Sequence, residues 1–565
     1  MPPFKRLLTW FQPDTSRPLT QVWLASLWMG LLANWPLWKQ LQSLPEIAGA
    51  RGVFFTVAFA AMVTAATGAL LSLLAWPRLV KAVLAVLLLS SAALAYFIGS
   101  YGIVFDPTMV TNMAQTDVRE TRDLLSWRLL ASIAVLGALP VAWLLRRPPA
   151  PAQSLARRVG GNLAGFGLGL VAMVLLALAV FADLSSTMRN YKSLRYMVTP
   201  LNAVYSLAST ALHRQAAPSG PPAVIGADAQ LLPRAAGVKP PLLLFVVGET
   251  ARAMNFSLNG YARPTNPELA KLQGPGLVSL RQVTSCGTAT AASLPCMFSP
   301  LGREAFVDLK GKQENLLDVL QRAGLAVLWL DNQSGCKGLC DRVPNSFTSQ
   351  LPDGAAPLPG GLCHKDELGE QECFDESLLH ELDKRVAALD PARVKRGVVL
   401  VMHQMGSHGP AYFKRSPADL KPFQPECRSN ALQQCPREQV VNGYDNTIAT
   451  TDRLLARSIA WLKTQQAFDV GMLYVSDHGE SLGENGLYLH GMPYAMAPKE
   501  QTHVPMVLWM PEGGAMAASL KPGCLAGLRD QPASHDNLFH TAMGWVGARA
   551  DVYKPAWDLL AGCRS

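Results

Sequence analysis

None of the first 285 residues is cysteine, although ten cysteines follow, and the first 184 residues hold only seven carboxylates: Asp14, Glu46, Asp106, Asp117, Glu120, Asp123 and Asp183. So little acid excludes an ordinary solvated surface over that third of the chain. It leaves five apolar stretches, 18–38, 52–77, 82–105, 129–145 and 159–182. Each is about long enough to cross a ~30 Å hydrocarbon core at ~1.5 Å per residue. One such stretch could be a buried core helix; five in succession predict a membrane domain. Pro36 and Pro140 fall inside two of them, which spanning helices tolerate where neighbours satisfy the freed backbone. The first stretch lacks a short apolar core ending in an A-x-A-like site, so it is expected to stay as an anchor. Internal repeats and long low-complexity tracts are also missing.

The basic residues set an orientation. Lys5, Arg6 and Arg17 precede the first stretch, Arg78 and Lys81 lie between the second and third, and Arg146, Arg147, Arg157 and Arg158 lie between the fourth and fifth. These segments alternate as the cytoplasmic side, and five crossings then put the C-terminal part outside. The net charge of +9 follows largely from this bias and requires no nucleic acid. Cysteine usage points the same way. Cys286, Cys296, Cys336, Cys340, Cys363, Cys373, Cys427, Cys435, Cys524 and Cys563 form an even set, mostly in close pairs, as disulfides in an oxidising compartment do. Proximity pairs 286–296, 336–340, 363–373 and 427–435, leaving 524–563 by elimination. A zinc site on Cys336 and Cys340 lacks a second pair of suitable spacing.

Three regions are expected: a five-span domain over 1–184, interfacial helices and a Pro/Ala/Gly-rich linker over 185–240, and an α/β domain over 241–565. Strands are predicted at 242–249, 325–332, 397–404, 469–477 and 504–510, with amphipathic stretches such as ENLLDVLQRAG and NTIATTDRLLARSIAWLKTQ between them. That alternation indicates a mainly parallel, buried sheet. Ligands in such sheets sit beyond the carboxyl ends of the strands. There the sequence places Glu249, Asp331, His403 with His408, and Asp477 with His478. Any one of these could be an ordinary loop acid or a helix-capping histidine; their convergence on one rim marks a site. Oxygen and imidazole donors without thiolate suit Zn²⁺, or less well Mn²⁺.

Five segments carry a resemblance: GET at 248–250, SCGTATAASLPCMFSP at 285–300, LDNQSGCKGLCDRVP at 330–344, HQMGSHGPAY at 403–412 and SDHGESLGENGLYLHG at 476–491. With the five-span anchor, they resemble the membrane-bound lipid A phosphoethanolamine transferases, the family that includes polymyxin-resistance enzymes. The resemblance implies an alkaline phosphatase/sulfatase-like catalytic domain that uses zinc. It implies Glu249, Thr290, Asp477 and His478 as ligands, with Thr290 also the nucleophile. His408 and His490 match histidines that bind phosphoethanolamine or a second zinc. Lys337 and Ser334 would line the pocket, with Thr288 beside the nucleophile, and Asn112 and Glu120 match residues that contact the lipid. His503 receives no role.

What the resemblance implies has a physical rationale. A threonine hydroxyl is a poor nucleophile at neutral pH, and coordination to zinc lowers the pKa of a hydroxyl by many units. Small neighbours at Ala289, Ala291 and Ala292 leave room for a phosphodiester, and a Cys286–Cys296 bridge would hold the loop rigid. Thr288 is the rival, and spacing alone does not separate it from Thr290. The expected protein is a multi-pass enzyme of the bacterial inner membrane, a monomer with its catalytic domain in the periplasm. It would move phosphoethanolamine from phosphatidylethanolamine to a lipid A phosphate through a covalent phosphothreonine. Rival readings are a transferase acting on a core sugar or periplasmic glucan, a sulfatase or phosphatase, and a non-catalytic membrane scaffold. The segment after Cys286 lacks the C/S-x-P-x-R pattern that a sulfatase needs.

Overall fold

The computed structural model describes residues 14–47, 49–116, 118–216, 220–348, 358–365 and 371–564. They form two compact units: 1–110 with 125–212, and 111–124 with 213–565.

The first unit is helical. Its main elements are α1 (Pro18–Trp28, continued by a wider turn over Met29–Ala33), α2 (Gly49–Ser72), α3 (Val80–Tyr101), α4 (Trp127–Leu145) and α5 (Leu155–Ala179). Among the described residues, α2 to α5 are long and apolar enough to cross a membrane, while Pro18–Ala33 is shorter. The expected helix over 18–38 is therefore interrupted. Pro36 has no N–H to continue it, and the chain turns at Asn34 before resuming over Trp35–Gln42. The carbonyls freed at this break are occupied: Trp38 Nε1 lies 3.1 and 3.0 Å from the Gly30 and Leu31 oxygens, and Asn34 Nδ2 donates to Met29 at 2.9 Å. Before Pro140, α4 widens over Ile133–Ala138, and Trp28 Nε1 donates to Leu136 O at 2.9 Å. Helices α2 and α5 meet at Gly169, where a Cβ would come within 2.8 Å of Ala69 Cβ, the close approach that small residues permit in membranes.

The second unit is built on an eight-stranded sheet: β1 (Pro241–Gly248), β2 (Leu277–Thr284), β3 (Ala326–Asp331), β4 (Asn345–Phe347), β5 (Val398–His403), β6 (Asp469–Ser476), β7 (His503–Trp509) and β8 (Pro532–Ser534). Their order is β8-β2-β7-β6-β1-β5-β3-β4. All pairings are parallel except the two made by β7, which alone runs against the rest. β1, at the centre, is buried along its whole length, which explains its unbroken apolar run PLLLFVVG. Helices α6 (Thr290–Met297), α7 (Leu316–Arg322), α8 (Arg437–Thr464) and α9 (Leu538–Trp545) belong to this unit. Phe245 stacks on Phe298 at 5.2 Å between ring centroids, and Phe298 leans on Trp329 at 5.8 Å. The ten cysteines form five bridges: 286–296, 336–340, 363–373, 427–435 and 524–563.

Candidate active site

The site lies where β1 and β6, hydrogen-bonded neighbours, end together at the Gly248–Ser476 register pair. The next residues, Glu249 and Asp477 with His478, are completely buried. Backbone amides fix them: Thr250 N and His478 N both donate to Asp477 Oδ1, at 3.1 and 2.7 Å. The chain after β5 presses on the same point. Gly406 has φ +51, and a Cβ there would sit 2.6 Å from Glu249 O, so only glycine fits.

Thr290 opens α6. Its Oγ1 is 3.1 Å from Glu249 Oε2, 3.3 Å from Glu249 Oε1 and 3.4 Å from His478 Nε2. His478 Nε2 in turn lies 3.3 Å from Glu249 and 3.4 Å from Asp477 Oδ2. Thr288, by contrast, donates its hydroxyl to Met492 O at 2.6 Å and accepts from Gly491 N through its backbone. The two threonines thus face different ways.

Glu249, Asp477 and His478 offer ligand atoms within 4.8 Å of one another. Asp477 Oδ2 is buried with no hydrogen-bond partner, which a native protein rarely leaves so. His478 Nδ1 lies 2.9 Å from Gly479 O, leaving Nε2 as the ligand nitrogen, the arrangement usual for metal-binding histidines. With Thr290 Oγ1 the set becomes three oxygens and one imidazole, and these residues fit a divalent cation. The charges are coupled. Burial alone would raise Glu249, but His478 and the Thr250 hydroxyl hold its carboxyl well below the usual range. Burial and the Glu249 charge push Asp477 up to about 6. Burial disfavours the charged His478, yet Asp477 and Glu249 raise it to about 10.

His490 and His408 sit beside this cluster: the His478 and His490 ring centroids are 4.4 Å apart, and those of His408 and His490 are 5.3 Å apart. Lys337 Nζ donates to Ser334 Oγ at 2.8 Å. Ser334 is joined through the Gln333 side chain to Glu249, 3.1 Å from Gln333 Nε2. Asn112 lies in a helix over Pro107–Gln115, and the side chain of Glu120 lies outside the described residues. Asp331 and His403 pair with each other at 3.1 Å, and Asp331 also accepts from Trp329 Nε1. His503 Nε2 meets Arg281 O at 2.6 Å, a strand-end anchor.

Sequence reasoning passed over three residues here. Gln333 lies inside the quoted DNQSGCK stretch. Glu480 is fully buried, 3.4 Å from His490 Nδ1, and burial pushes its carboxyl up to about 8. His535 accepts from Cys286 N at 3.0 Å and reaches Ser476 O at 2.9 Å. Burial holds its imidazole down at about 3, so it stays neutral. Glu480 could have been flagged by its place in DHGESLGE; His535 has no local signal.

A parallel-sheet domain with a threonine and a compact acid–imidazole cluster at its carboxyl rim defines a hydrolase-like or transferase-like fold, and the Sulfatase family model matches residues 241–548. A second model, Phosphoethanolamine transferase EptA/EptB, matches residues 63–215. The chain is 38% identical over 549 residues to phosphoethanolamine transferase EptA of Escherichia coli K12, covering 96% of each. It is 38% identical over 556 residues to the phosphatidylethanolamine transferase Mcr-1 of Escherichia coli, covering 96% of this chain and 97% of that one. The integral membrane lipooligosaccharide phosphoethanolamine transferase A of Neisseria meningitidis superposes with a TM-score of 0.88 at 32% identity, over 96% of this chain and 98% of that one. The chain belongs to the phosphoethanolamine transferase family and is a membrane-embedded transferase.

Proposed function

We propose that this enzyme transfers phosphoethanolamine from phosphatidylethanolamine to a phosphate of lipid A, with Thr290 as the nucleophile. The observation that carries the proposal is the Thr290 hydroxyl, set at a helix N-terminus and donating to Glu249 beside His478. Thr290 Oγ gives up its proton and attacks the donor phosphorus, the bond from phosphorus to the diacylglycerol oxygen breaks, that oxygen takes up a proton and leaves as diacylglycerol, and phosphoethanolamine stays on Thr290. An acceptor phosphate oxygen then attacks the same phosphorus and the threonine oxygen leaves, which regenerates the hydroxyl. Glu249, Asp477 and His478, with the Thr290 hydroxyl, would hold a zinc ion, which when bound would supply Lewis-acid chemistry, lowering the hydroxyl pKa and offsetting phosphoryl charge. His408 and His490 face the bound headgroup, and Lys337 and Ser334 form the wall beside Glu249. The first unit anchors the protein in the inner membrane, and the disulfide-bearing unit works in the periplasm. Both lipid reactants are confined to the bilayer, so anchoring raises their effective concentration. The added amine reduces the negative charge of lipid A and weakens binding of cationic peptides such as polymyxin.

Mass spectrometry of protein given a short-chain donor and no acceptor tests the reading. Wild type should gain phosphoethanolamine on Thr290. Thr290→Ala should lose both the adduct and diacylglycerol release, Thr288→Ala should keep the adduct, and Thr290→Ser should retain part of the activity. An adduct on Thr288 would identify the other hydroxyl as nucleophile. Lipid A mass spectra of expressing cells check the acceptor: an unmodified lipid A beside a modified core sugar or glucan would move the enzyme to that acceptor.

A further inference from the structure

Residues 111–124 lie in sequence between α3 and α4 but pack within the catalytic unit. Contacts at both ends of the described part hold them there. Asp123 is buried and binds both Lys414 Nζ and Arg415 Nη2 at 2.7 Å, while its carbonyl accepts from Asn430 Nδ2 at 2.7 Å. At the other end, Lys337 Nζ donates to Gln115 O at 3.1 Å. Each contact leads into the site. Lys337 also holds Ser334, and Arg415 Nε donates to the carbonyl oxygen of His408 at 3.2 Å.

The Asp123–Arg415 pair is not a surface ion pair: the side chains are 3% and 7% exposed. Taking two charges out of water is costly, and a buried pair adds little net stability over apolar packing. Its evident effect is to fix position. The helix that ends at Asp123 has only six residues, too few to hold itself in water. The local charges also balance only with Asp123 present. Arg415 lies 3.8 Å from Glu372, so two cations face two acids, and removing Asp123 leaves one acid for both.

We propose that Asp123 is a positioning residue. With Lys414, Arg415 and Asn430 it clamps this inter-helix segment across the loops that carry Lys337 and His408. The clamp thereby sets how the phosphodiester of a lipid donor enters the site. The inference rests on the functional reading above, because it takes the donor to be a lipid that enters past these loops.

The test uses the full chain in detergent micelles, comparing wild type with Asp123→Asn, Asp123→Glu and Lys414→Met by hydrogen exchange and by kinetics on phosphatidylethanolamine. In Asp123→Asn the amides of 121–124 should exchange about tenfold faster while those of 241–248 stay protected. KM for phosphatidylethanolamine should rise about fivefold, with kcat held within about twofold. Asp123→Glu should restore both, and Lys414→Met should fall between. Unchanged exchange in Asp123→Asn overturns the clamp. Faster exchange with unchanged KM, or a loss confined to kcat, overturns the positioning role. Wild-type protein that cleaves no phosphatidylethanolamine overturns the functional reading instead, and the exchange measurement still decides the clamp.

Discussion

Gln333 supports Glu249 from the side away from His478: its amide donates to Glu249 Oε2, and its carbonyl oxygen is engaged by Ser334 N and Oγ. Such partners orient a ligating carboxylate, and losing one lowers metal affinity by about 10–100-fold. Gln333→Leu should therefore weaken zinc binding by about that factor, read by competition with a chromophoric chelator. The Thr290 adduct should return at saturating zinc. Unchanged affinity would mean that Glu249 holds its geometry without Gln333. At this scale the sequence carried the identity of the cluster but not its support. Glu249, Asp477 and His478 follow apolar strands, so strand ends located them. The supporting roles of Gln333, Glu480 and His535 come from burial and from contacts across long stretches of chain, which no local pattern encodes. Thr288 and Thr290 are two positions apart and differ only in what their hydroxyls face.

The five apolar runs read as strands all form strands, because buried parallel strands must be continuously apolar. β2 was not read, since LVSLRQVT puts Arg281 and Gln282 in the half where one face is exposed, and β8 has only three residues. The reversed direction of β7 leaves no mark on composition. Helix α8 shows another non-local device. Its buried Asp452 caps a different helix, Pro267–Lys271, accepting from Glu268 N at 2.7 Å and Leu269 N at 3.0 Å. Burial outweighs these donors and pushes Asp452 up to about 7. The folded state therefore favours the protonated acid. Its stabilising share is complete below the ordinary carboxylate range, near pH 4, and is lost as pH rises through about 7. That share is at most about 4 kcal/mol. The thermal midpoint of the solubilised enzyme should fall as pH rises from about 4 to about 7, and Asp452→Asn should flatten that fall. An equal slope in the variant would assign it to other groups.

At the scale of the whole chain, the scarcity of acid before residue 184 and the confinement of cysteine beyond 285 separate a membrane part from a disulfide-bonded one. The boundary between the units is less simple than either signal. It falls at 212–213, and a short piece from between α3 and α4 belongs to the second unit. Composition could not reveal this, because residues 111–124 are an unremarkable polar loop in sequence. Their allegiance is decided by the cations they meet some 290 positions later.

That insertion bears on how the enzyme can be divided. A secreted fragment beginning at residue 213 would keep the sheet, all five disulfides and every residue of the metal cluster. It would nonetheless lack Asp123 and Gln115, stranding Arg415 and Lys414 beside Glu372 and leaving the Lys337 ammonium without its Gln115 acceptor, still on Ser334. Removing one partner of a buried ion pair costs about 3–5 kcal/mol, so the fragment should melt below the same unit in the intact enzyme. Adding a synthetic peptide of residues 107–126 in trans should recover part of that loss, whereas a peptide carrying Asp123→Asn should not. Drug screens or inhibitor soaks on such a truncated domain would then meet a site whose rim is looser, and more cationic, than the one in the intact enzyme.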